Sequence, residues 1–207
     1  KNVVVATGHH APGFYSALFL DGSLEVMGIR DVQALCDRFR EQGGLLGHVS
    51  GSVPGLLNPA GPLGQGQHFA MAAALLHRET LFPVILGDGE CDEPYVASSM
   101  ASFHAAYPSV TNFLPVLAWN GYSQEHHSML STLSNREMVA YWRGHGFDHV
   151  VIVDAKDSDD QDQPGAFVDS TRCSMQKRLE YTKAVLTAAS TAASAALSVS
   201  LTMLVIK

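Results

Sequence analysis

Cysteine, charge and long apolar runs are all scarce in this sequence. Its three cysteines, Cys36, Cys91 and Cys173, lie far apart without a CxxC pair. This usage is typical of a reducing compartment rather than a disulfide framework, so a cytoplasmic location is expected. We interpret Cys91 as a small bystander residue rather than a reactive thiol. The formal net charge of −7 argues against nucleic acid or an anionic membrane as the main partner.

No targeting or membrane-spanning segment is predicted either. The first residues lack a basic region followed by an apolar run, so no signal peptide is indicated. The last part of the chain is apolar, but serines and threonines interrupt it, which favours an Ala-rich helix followed by a strand over a membrane span. Because the chain starts without Met and stops within an apolar run, we expect it to be a fragment of a longer chain.

Short apolar runs alternate with helix-length segments along the chain. This alternation predicts one α/β domain over residues 1–207, with three α/β/α layers and a mostly parallel sheet of at least five strands. The strands read as continuously apolar, which is typical of a sheet buried on both faces. Strands are predicted at 2–6, 81–86, 113–119, 149–154 and 201–207, and helices at 65–78, 95–107, 134–144 and 174–197.

Three local signals refine this prediction. Ser134 and Glu137 have the spacing of a capping box, which marks a helix start. Residues 43–67 are rich in glycine and proline, so they are predicted to form a long, shaped loop. Residues 154–165 are acidic and polar, and we interpret them as a solvated surface loop rather than a cation site.

The stretch Val-Ile-Leu-Gly-Asp-Gly-Glu places an acidic residue between two glycines at the end of a predicted strand. Ligands of open α/β sheets bind at the carboxyl ends of the strands, and the glycines let a bulky anion approach the backbone. Asp88 would repel a phosphate unless a cation lay between them. The pattern therefore predicts that Asp88 holds Mg²⁺ against a diphosphate.

The end of the next strand supplies a second set of oxygen ligands. Asn120-Gly121-Tyr122 follows the apolar run 113–119. The side-chain oxygen of Asn120 is a neutral hard ligand, and Gly121 lets the backbone turn so that the carbonyl of Tyr122 can face the same ion. Gly-Asp-Gly followed by Asn at the next strand end resembles the thiamine diphosphate-binding motif.

The sequence resembles phosphoketolases over a larger set of motifs, in the order found in that family. These are Gly-His-His-Ala-Pro-Gly at 8–13, Gly-His-Val-Ser-Gly-Ser-Val-Pro-Gly at 47–55, Gly-Pro-Leu-Gly-Gln-Gly at 61–66, Gly-Asp-Gly-Glu at 87–90 and Leu-Ala-Trp-Asn-Gly-Tyr at 117–122. The likeness implies the diphosphate-binding domain of a transketolase-like enzyme dependent on thiamine diphosphate and Mg²⁺. Such enzymes cleave xylulose 5-phosphate or fructose 6-phosphate with inorganic phosphate, giving acetyl phosphate and an aldose phosphate.

The resemblance also implies roles for single residues. His9 and His48 match catalytic histidines that face the reactive part of the cofactor, and an imidazole suits proton transfer near neutral pH. The remaining histidines are interpreted as neighbours, packing residues or an exposed loop pair. Metal binding is implied for Asp88, Asn120 and Tyr122, and contact with the cofactor for Gly61, Leu63, Gly87, Asp88, Gly89, Glu90 and Asn120.

Several positions depart from the family pattern, and they leave the function open between three readings. Asn58 stands in place of a family His, Pro62 in place of a Glu and Ser123 in place of a Lys. The alternatives to a phosphoketolase are a transketolase-type enzyme with another donor and an inactive relative that serves as a structural or regulatory subunit. The family also implies a homo-oligomer, in which a second domain or subunit supplies an activating Glu.

Overall fold

The computed structural model describes residues 3–54, 56, 58–153, 187, 190, 191, 193, 194 and 202–207. Its strands are β1 (Val4–Val5), β2 (Phe82–Gly87), β3 (Phe113–Ala118), β4 (His149–Val153) and β5 (Thr202–Ile206). They form one five-stranded sheet in the order β1-β2-β3-β5-β4, and every pairing within it is parallel. The predicted α/β fold with a parallel sheet is therefore confirmed.

The central strands are buried because both of their faces are covered. Leu117 and Val205 are 0 % exposed in the core on one face, while Leu114 and Leu204, 3 % and 1 % exposed, lie in a separate cluster on the other. Burial or partial burial on both faces explains why these strands read as unbroken apolar runs rather than as alternating ones. The register aligns Gly87 with Ala118, so β2 and β3 end at the same edge of the sheet.

The α-helices whose bounds are described are α1 (Ala11–Leu20), α2 (Val32–Arg38), α3 (Gly66–Leu76), α4 (Tyr95–Ala106) and α5 (Asn135–Gly144), and the separate residues 187, 190, 191, 193 and 194 are also helical. Helices α3, α4 and α5 were predicted from sequence, and the capping box of α5 is present. The Glu137 N–H donates to Ser134 Oγ at 3.3 Å, and the Ser134 N–H donates to Glu137 Oε2 at 2.8 Å.

The two N-terminal helices were not predicted. Helix α1 is apolar around most of its circumference, so it shows no amphipathic period, although Pro12 in its first turn is typical of a helix start. Helix α2 is short, and Asp31 caps it by accepting a hydrogen bond from the Ala34 N–H at 2.8 Å. Neither helix carries the periodic signal on which a sequence prediction depends.

Among the described residues, different elements cover the two faces of the sheet. Helices α3, α4 and α5 pack on one face, where Met100 and Trp142 are each 0 % exposed within the main core. On the other face, Tyr15 of α1 packs with buried residues of the long loop, such as Leu45 and Val49. The loop predicted at 43–67 is thus largely confirmed, since it lacks regular structure until α3 begins at Gly66.

Some predictions fall on residues that the structure does not describe. The solvated loop at 154–165, Cys173 and most of the predicted helix 174–197 lie outside the described residues. Among the helices that are described, none is long and apolar enough to cross a membrane.

Candidate functional site

The carboxyl ends of β2 and β3 bring together residues singled out from the sequence, and β1 adds one that was not. Asp88 follows β2 directly, Asn120 follows β3 after one intervening residue, and the added residue, Thr7, lies two positions after β1. Ligands of open parallel sheets bind at this edge. The fold therefore places Asp88 and the Asn120-Gly121-Tyr122 loop side by side, as the strand pattern predicted.

Asp88 is a buried carboxylate held only by neutral donors among the described residues. It is 2 % exposed. Its Oδ2 accepts the Gly121 N–H at 2.7 Å and the Ser128 hydroxyl at 2.8 Å, while Oδ1 accepts the Gly89 N–H at 3.1 Å. Burial raises the pKa of Asp88, and these hydrogen bonds partly offset that effect by favouring the ionised form.

The loop after β3 folds back on itself beside Asp88. Asn120 Oδ1 accepts the Tyr122 N–H at 2.8 Å, and the rings of Tyr122 and His127 lie 4.5 Å apart between centroids. A side chain at Gly89 would lie 2.9 Å from Ser123, so only glycine allows the loop to approach the Asp88 turn this closely. The loop and the Gly-Asp-Gly turn form one packed unit.

Glu90 is also buried, and both of its oxygens are engaged within the protein. Oε2 accepts the Thr7 hydroxyl at 2.6 Å, and Oε1 accepts the Gly64 N–H at 2.7 Å. Thr7 Oγ1 in turn accepts the Gly87 N–H at 2.8 Å. Burial raises the pKa of Glu90. This carboxylate links the end of β1, the turn after β2 and the Gly-Pro-Leu-Gly segment.

His9 and His48 come together although they are far apart in sequence. Their ring centroids lie 5.5 Å apart, and both side chains are exposed. Gly8 makes this approach possible, because a side chain at that position would collide with the His48 ring and with the Ala60 carbonyl. Two accessible imidazoles this close together can bind anions or transfer protons.

His10, interpreted from sequence as a neighbour of His9, is half-buried in this region. Its Nδ1 atom is buried and has no hydrogen-bond partner among the described residues. Burial lowers the pKa of His10, with a further lowering from His9 and an opposing effect from Asp88. This ring is therefore within electrostatic range of both neighbours.

The segment expected to lie against the cofactor is open to solvent. Gly61 and Leu63 are exposed, and the Leu63 carbonyl accepts the Tyr95 hydroxyl at 2.8 Å. Asn58, by contrast, is 1 % exposed and donates to the carbonyl of Val5 at 3.1 Å. Asn58 therefore has a packing contact with β1 in this structure.

Cys91 lies in the core rather than at the site surface. It is 3 % exposed, and burial, assisted by the neighbouring carboxylates, raises the pKa of its thiol well above the ordinary value. The thiolate is the nucleophilic form of cysteine, so this environment disfavours reactivity.

Two residues of the site were not found from sequence. Thr7 binds Glu90, and its position directly after the first strand could have indicated it, since β1 ends at the same edge. Ser128 binds Asp88 from forty positions away, inside an irregular loop. No spacing or periodicity signal indicates Ser128.

The chemistry of this arrangement suits a hard cation. Asp88 presents an anionic oxygen without a positively charged hydrogen-bond partner in the described part of the chain, and Asn120 adds a neutral oxygen nearby in the adjacent loop. No group of three or more His, Cys, Asp or Glu side chains among the described residues could hold a metal. One carboxylate oxygen and one amide oxygen fit an ion such as Mg²⁺, which keeps much of its coordination for waters and substrate phosphates.

Comparison with known proteins identifies one matching family and several similar proteins. The XFP N-terminal domain family matches residues 2–186. A probable phosphoketolase of Schizosaccharomyces pombe is 29% identical over 161 residues, covering 74% of this chain and 20% of the relative. A probable phosphoketolase of Mycobacterium avium is 28% identical over 173 residues, covering 80% of this chain and 22% of the relative. The chain thus spans about a fifth of the length of these curated relatives.

Solved structures show the same fold. The transketolase of Campylobacter jejuni superposes with a TM-score of 0.64 at 22% identity, covering 100% of this chain and 29% of that chain. A transketolase variant of Pichia stipitis, in complex with fructose 6-phosphate, superposes with a TM-score of 0.67 at 21% identity, covering 100% of this chain and 28% of that chain. At these identities the likeness establishes the transketolase-like fold.

Proposed function

Because this chain belongs to the XFP N-terminal domain family of phosphoketolases, we propose that it binds thiamine diphosphate with Mg²⁺ as part of a phosphoketolase-like enzyme. The observation that carries this proposal is the buried Asp88 carboxylate, held by neutral donors at the carboxyl edge of the sheet beside the Asn120 loop. A buried carboxylate that lacks a cationic partner is costly, and a bound cation offsets that cost.

The proposed reaction cleaves a ketose phosphate such as xylulose 5-phosphate or fructose 6-phosphate with inorganic phosphate. The products are acetyl phosphate and an aldose phosphate. When bound, thiamine diphosphate supplies the carbanion-stabilising centre that such a carbon–carbon cleavage requires. The chain's own residues would bind the cofactor, orient the substrate and move protons.

The proposed roles are those that the family motifs imply, and the positions of these residues in the structure support them. The side chains of Asp88 and Asn120 and the carbonyl of Tyr122 hold Mg²⁺. His9 and His48, whose ring centroids lie 5.5 Å apart, act on the substrate as proton donors and acceptors. The cofactor would lie against Gly61, Leu63, Gly87, Gly89 and Glu90. Glu90 would contribute by keeping Thr7 and Gly64 in place through its hydrogen bonds.

We propose that the working enzyme is larger than this single domain. The chain spans about a fifth of its curated relatives, and a second domain or subunit of a homo-oligomer would supply the Glu that activates the cofactor. The exposed apolar side chains of Leu63, Phe69, Tyr95 and Tyr122 around the site support such a neighbour. A cytoplasmic location fits the free thiols Cys36 and Cys91.

Calorimetric titration tests the proposal on the full-length natural protein that carries these residues. Thiamine diphosphate is titrated in the presence of Mg²⁺ into the wild type, Asp88→Ala and Asp92→Asn. Asp92 is the matched control, because its carboxylate accepts the Met129 N–H at 2.9 Å and plays no proposed part in cation binding. We expect a roughly micromolar Kd, equivalent to about −8 kcal/mol, for the wild type and the control but not for Asp88→Ala.

An activity measurement then separates the functional alternatives. Acetyl phosphate formed from xylulose 5-phosphate and inorganic phosphate would support the phosphoketolase reaction. Transfer of the ketol group to an aldose phosphate instead would indicate a transketolase-type enzyme. Folded wild-type protein that binds no thiamine diphosphate would contradict the enzyme reading and leave a structural or regulatory subunit.

A further inference from the structure

We propose that Ser128 determines the cation specificity of the site by confining the ion to one oxygen of Asp88. This inference rests on the proposed function, since it concerns the cation that accompanies the diphosphate. The hydroxyl of Ser128 donates to Asp88 Oδ2 at 2.8 Å, and this bond is buried. Ser128 is thus a positioning residue that acts on the cation through Asp88.

The two oxygens of Asp88 are unequally occupied. Oδ2 accepts both the Gly121 N–H at 2.7 Å and the Ser128 hydroxyl, which together use its two lone pairs. Oδ1 accepts the Gly89 N–H at the longer distance of 3.1 Å. Oδ1 therefore keeps a lone pair for a cation, whereas both lone pairs of Oδ2 are already used.

The direction of the Ser128 hydroxyl is fixed by its surroundings. Ser128 is 1 % exposed. Its N–H donates to the Gly121 carbonyl at 3.2 Å, and its own carbonyl accepts the Ser131 N–H at 3.0 Å and the Ser131 hydroxyl at 2.6 Å. The backbone on both sides of Ser128 is held, so its hydroxyl has little freedom to turn away from Asp88.

One accessible oxygen favours Mg²⁺ over Ca²⁺. Mg²⁺ requires near-octahedral coordination at short distances and takes carboxylates through single oxygens, whereas Ca²⁺ accepts six to eight oxygens and often binds a carboxylate through both. Removing the Ser128 hydroxyl frees one lone pair of Oδ2. Asp88 could then turn toward two-oxygen binding, which suits the larger ion.

The test measures the dissociation constants of Mg²⁺ and Ca²⁺ separately by calorimetry, in the full-length protein with saturating thiamine diphosphate. Ser128→Ala and Ser128→Cys remove the strong donor, the second while keeping the side-chain volume, and Ser128→Thr retains the hydroxyl. Thr132→Ala is the matched control, because it removes an exposed hydroxyl from the same loop that bonds to the Met129 carbonyl and to neither Asp88 nor Ser128.

We expect Ser128→Ala and Ser128→Cys to bind Mg²⁺ about 10-fold more weakly, the lower end of the range for residues that orient metal ligands. Ca²⁺ should bind as tightly as before or more tightly, so that the preference for Mg²⁺ falls by at least that factor. Ser128→Thr and Thr132→Ala should keep the wild-type preference.

Two results would overturn this inference and leave the proposed function standing. In the first, Ser128→Ala and Ser128→Cys weaken both cations equally, which is the effect of a merely structural residue. In the second, the two variants keep the wild-type preference for Mg²⁺ over Ca²⁺, although the wild-type protein binds the cofactor. A wild-type protein that binds neither cation with the cofactor would instead overturn the proposed function, and this inference with it.

Discussion

Every second residue after β2 is acidic over three positions, and each carboxylate accepts hydrogen bonds from a different part of the chain. Asp88 binds Gly121 and Ser128, Glu90 binds Gly64 and Thr7, and Asp92 accepts the Met129 N–H at 2.9 Å. Loops at the carboxyl edge of a sheet leave backbone N–H groups without regular partners, and such groups must be satisfied when they are buried. The carboxylates supply those partners, so the acidic run is a framework for the site as well as a source of a cation ligand.

At the residue scale, Glu90→Ala should loosen the Gly-Pro-Leu-Gly segment. The substitution leaves the buried Gly64 N–H and Thr7 hydroxyl without their acceptor, which costs about 2 kcal/mol. We expect amide protection of residues 60–66 to fall by about 30-fold when measured by hydrogen exchange on the full-length protein.

The matched control for this prediction is Glu93→Ala, which removes a partly exposed carboxylate three residues further along. It should change protection of the same residues by less than about 0.5 kcal/mol, as surface substitutions usually do. Equal protection in Glu90→Ala and the wild type would contradict the anchoring role of Glu90.

At the scale of elements, helix α4 meets the turn after α5 through a buried histidine. The ring centroids of His104 and Phe147 lie 5.7 Å apart, and His104 Nε2 is buried without a partner among the described residues. Burial lowers the pKa of His104 below its ordinary value of 6.5, and Asp148 opposes that shift. The contact therefore favours the neutral imidazole.

Acidification should weaken this contact. Because the unfolded chain takes up a proton on His104 at a higher pH than the folded chain does, stability is lost as the pH falls from 6.5 toward the lowered pKa. His104→Gln does not titrate, so its melting temperature should fall less than that of the wild type between about pH 7.5 and pH 5.5. His149→Gln, which removes an exposed histidine, should follow the wild type, and an identical slope in all three proteins would refute the prediction.

At the scale of the whole molecule, β5 joins the two parts of the sheet. It lies between β3 and β4, pairing with Val116–Ala118 on one side and with His149–Val153 on the other. Met203 and Val205 are each 0 % exposed. Strand β5 therefore joins β4 to β3, the strand whose carboxyl end leads into the Asn120 loop.

Val205→Asp should prevent the sheet from forming. An unpaired carboxylate at a fully buried central position costs on the order of 4 kcal/mol or more, a large part of the stability of a typical domain. We expect loss of soluble protein and of native circular dichroism.

The control for this prediction is Val205→Thr, which keeps the shape of the side chain and buries only a hydroxyl. It should cost about 1–3 kcal/mol and leave a folded protein. A soluble, fully structured Val205→Asp protein would show that β5 is not required for the sheet.

The sequence by itself determined the elements whose signals are local. Continuous apolar runs marked the five strands, because a strand buried on both faces needs apolar residues at every position. The capping box at Ser134 and Glu137 depends on two residues three positions apart, so it could be predicted before the fold was known. Asp88 and Asn120 were found because each follows a strand end, and parallel strands of one sheet end at the same edge.

Only the tertiary structure decided the contacts that connect distant segments. The order of the strands, with β5 between β3 and β4, depends on pairing across long stretches of chain that carry no periodic signal. The bonds of Ser128 to Asp88 and of Thr7 to Glu90 arise because the fold brings these loops together at one edge. A hydrogen bond depends on distance and direction in space, so sequence spacing predicts it within a single turn of helix but not across the sheet.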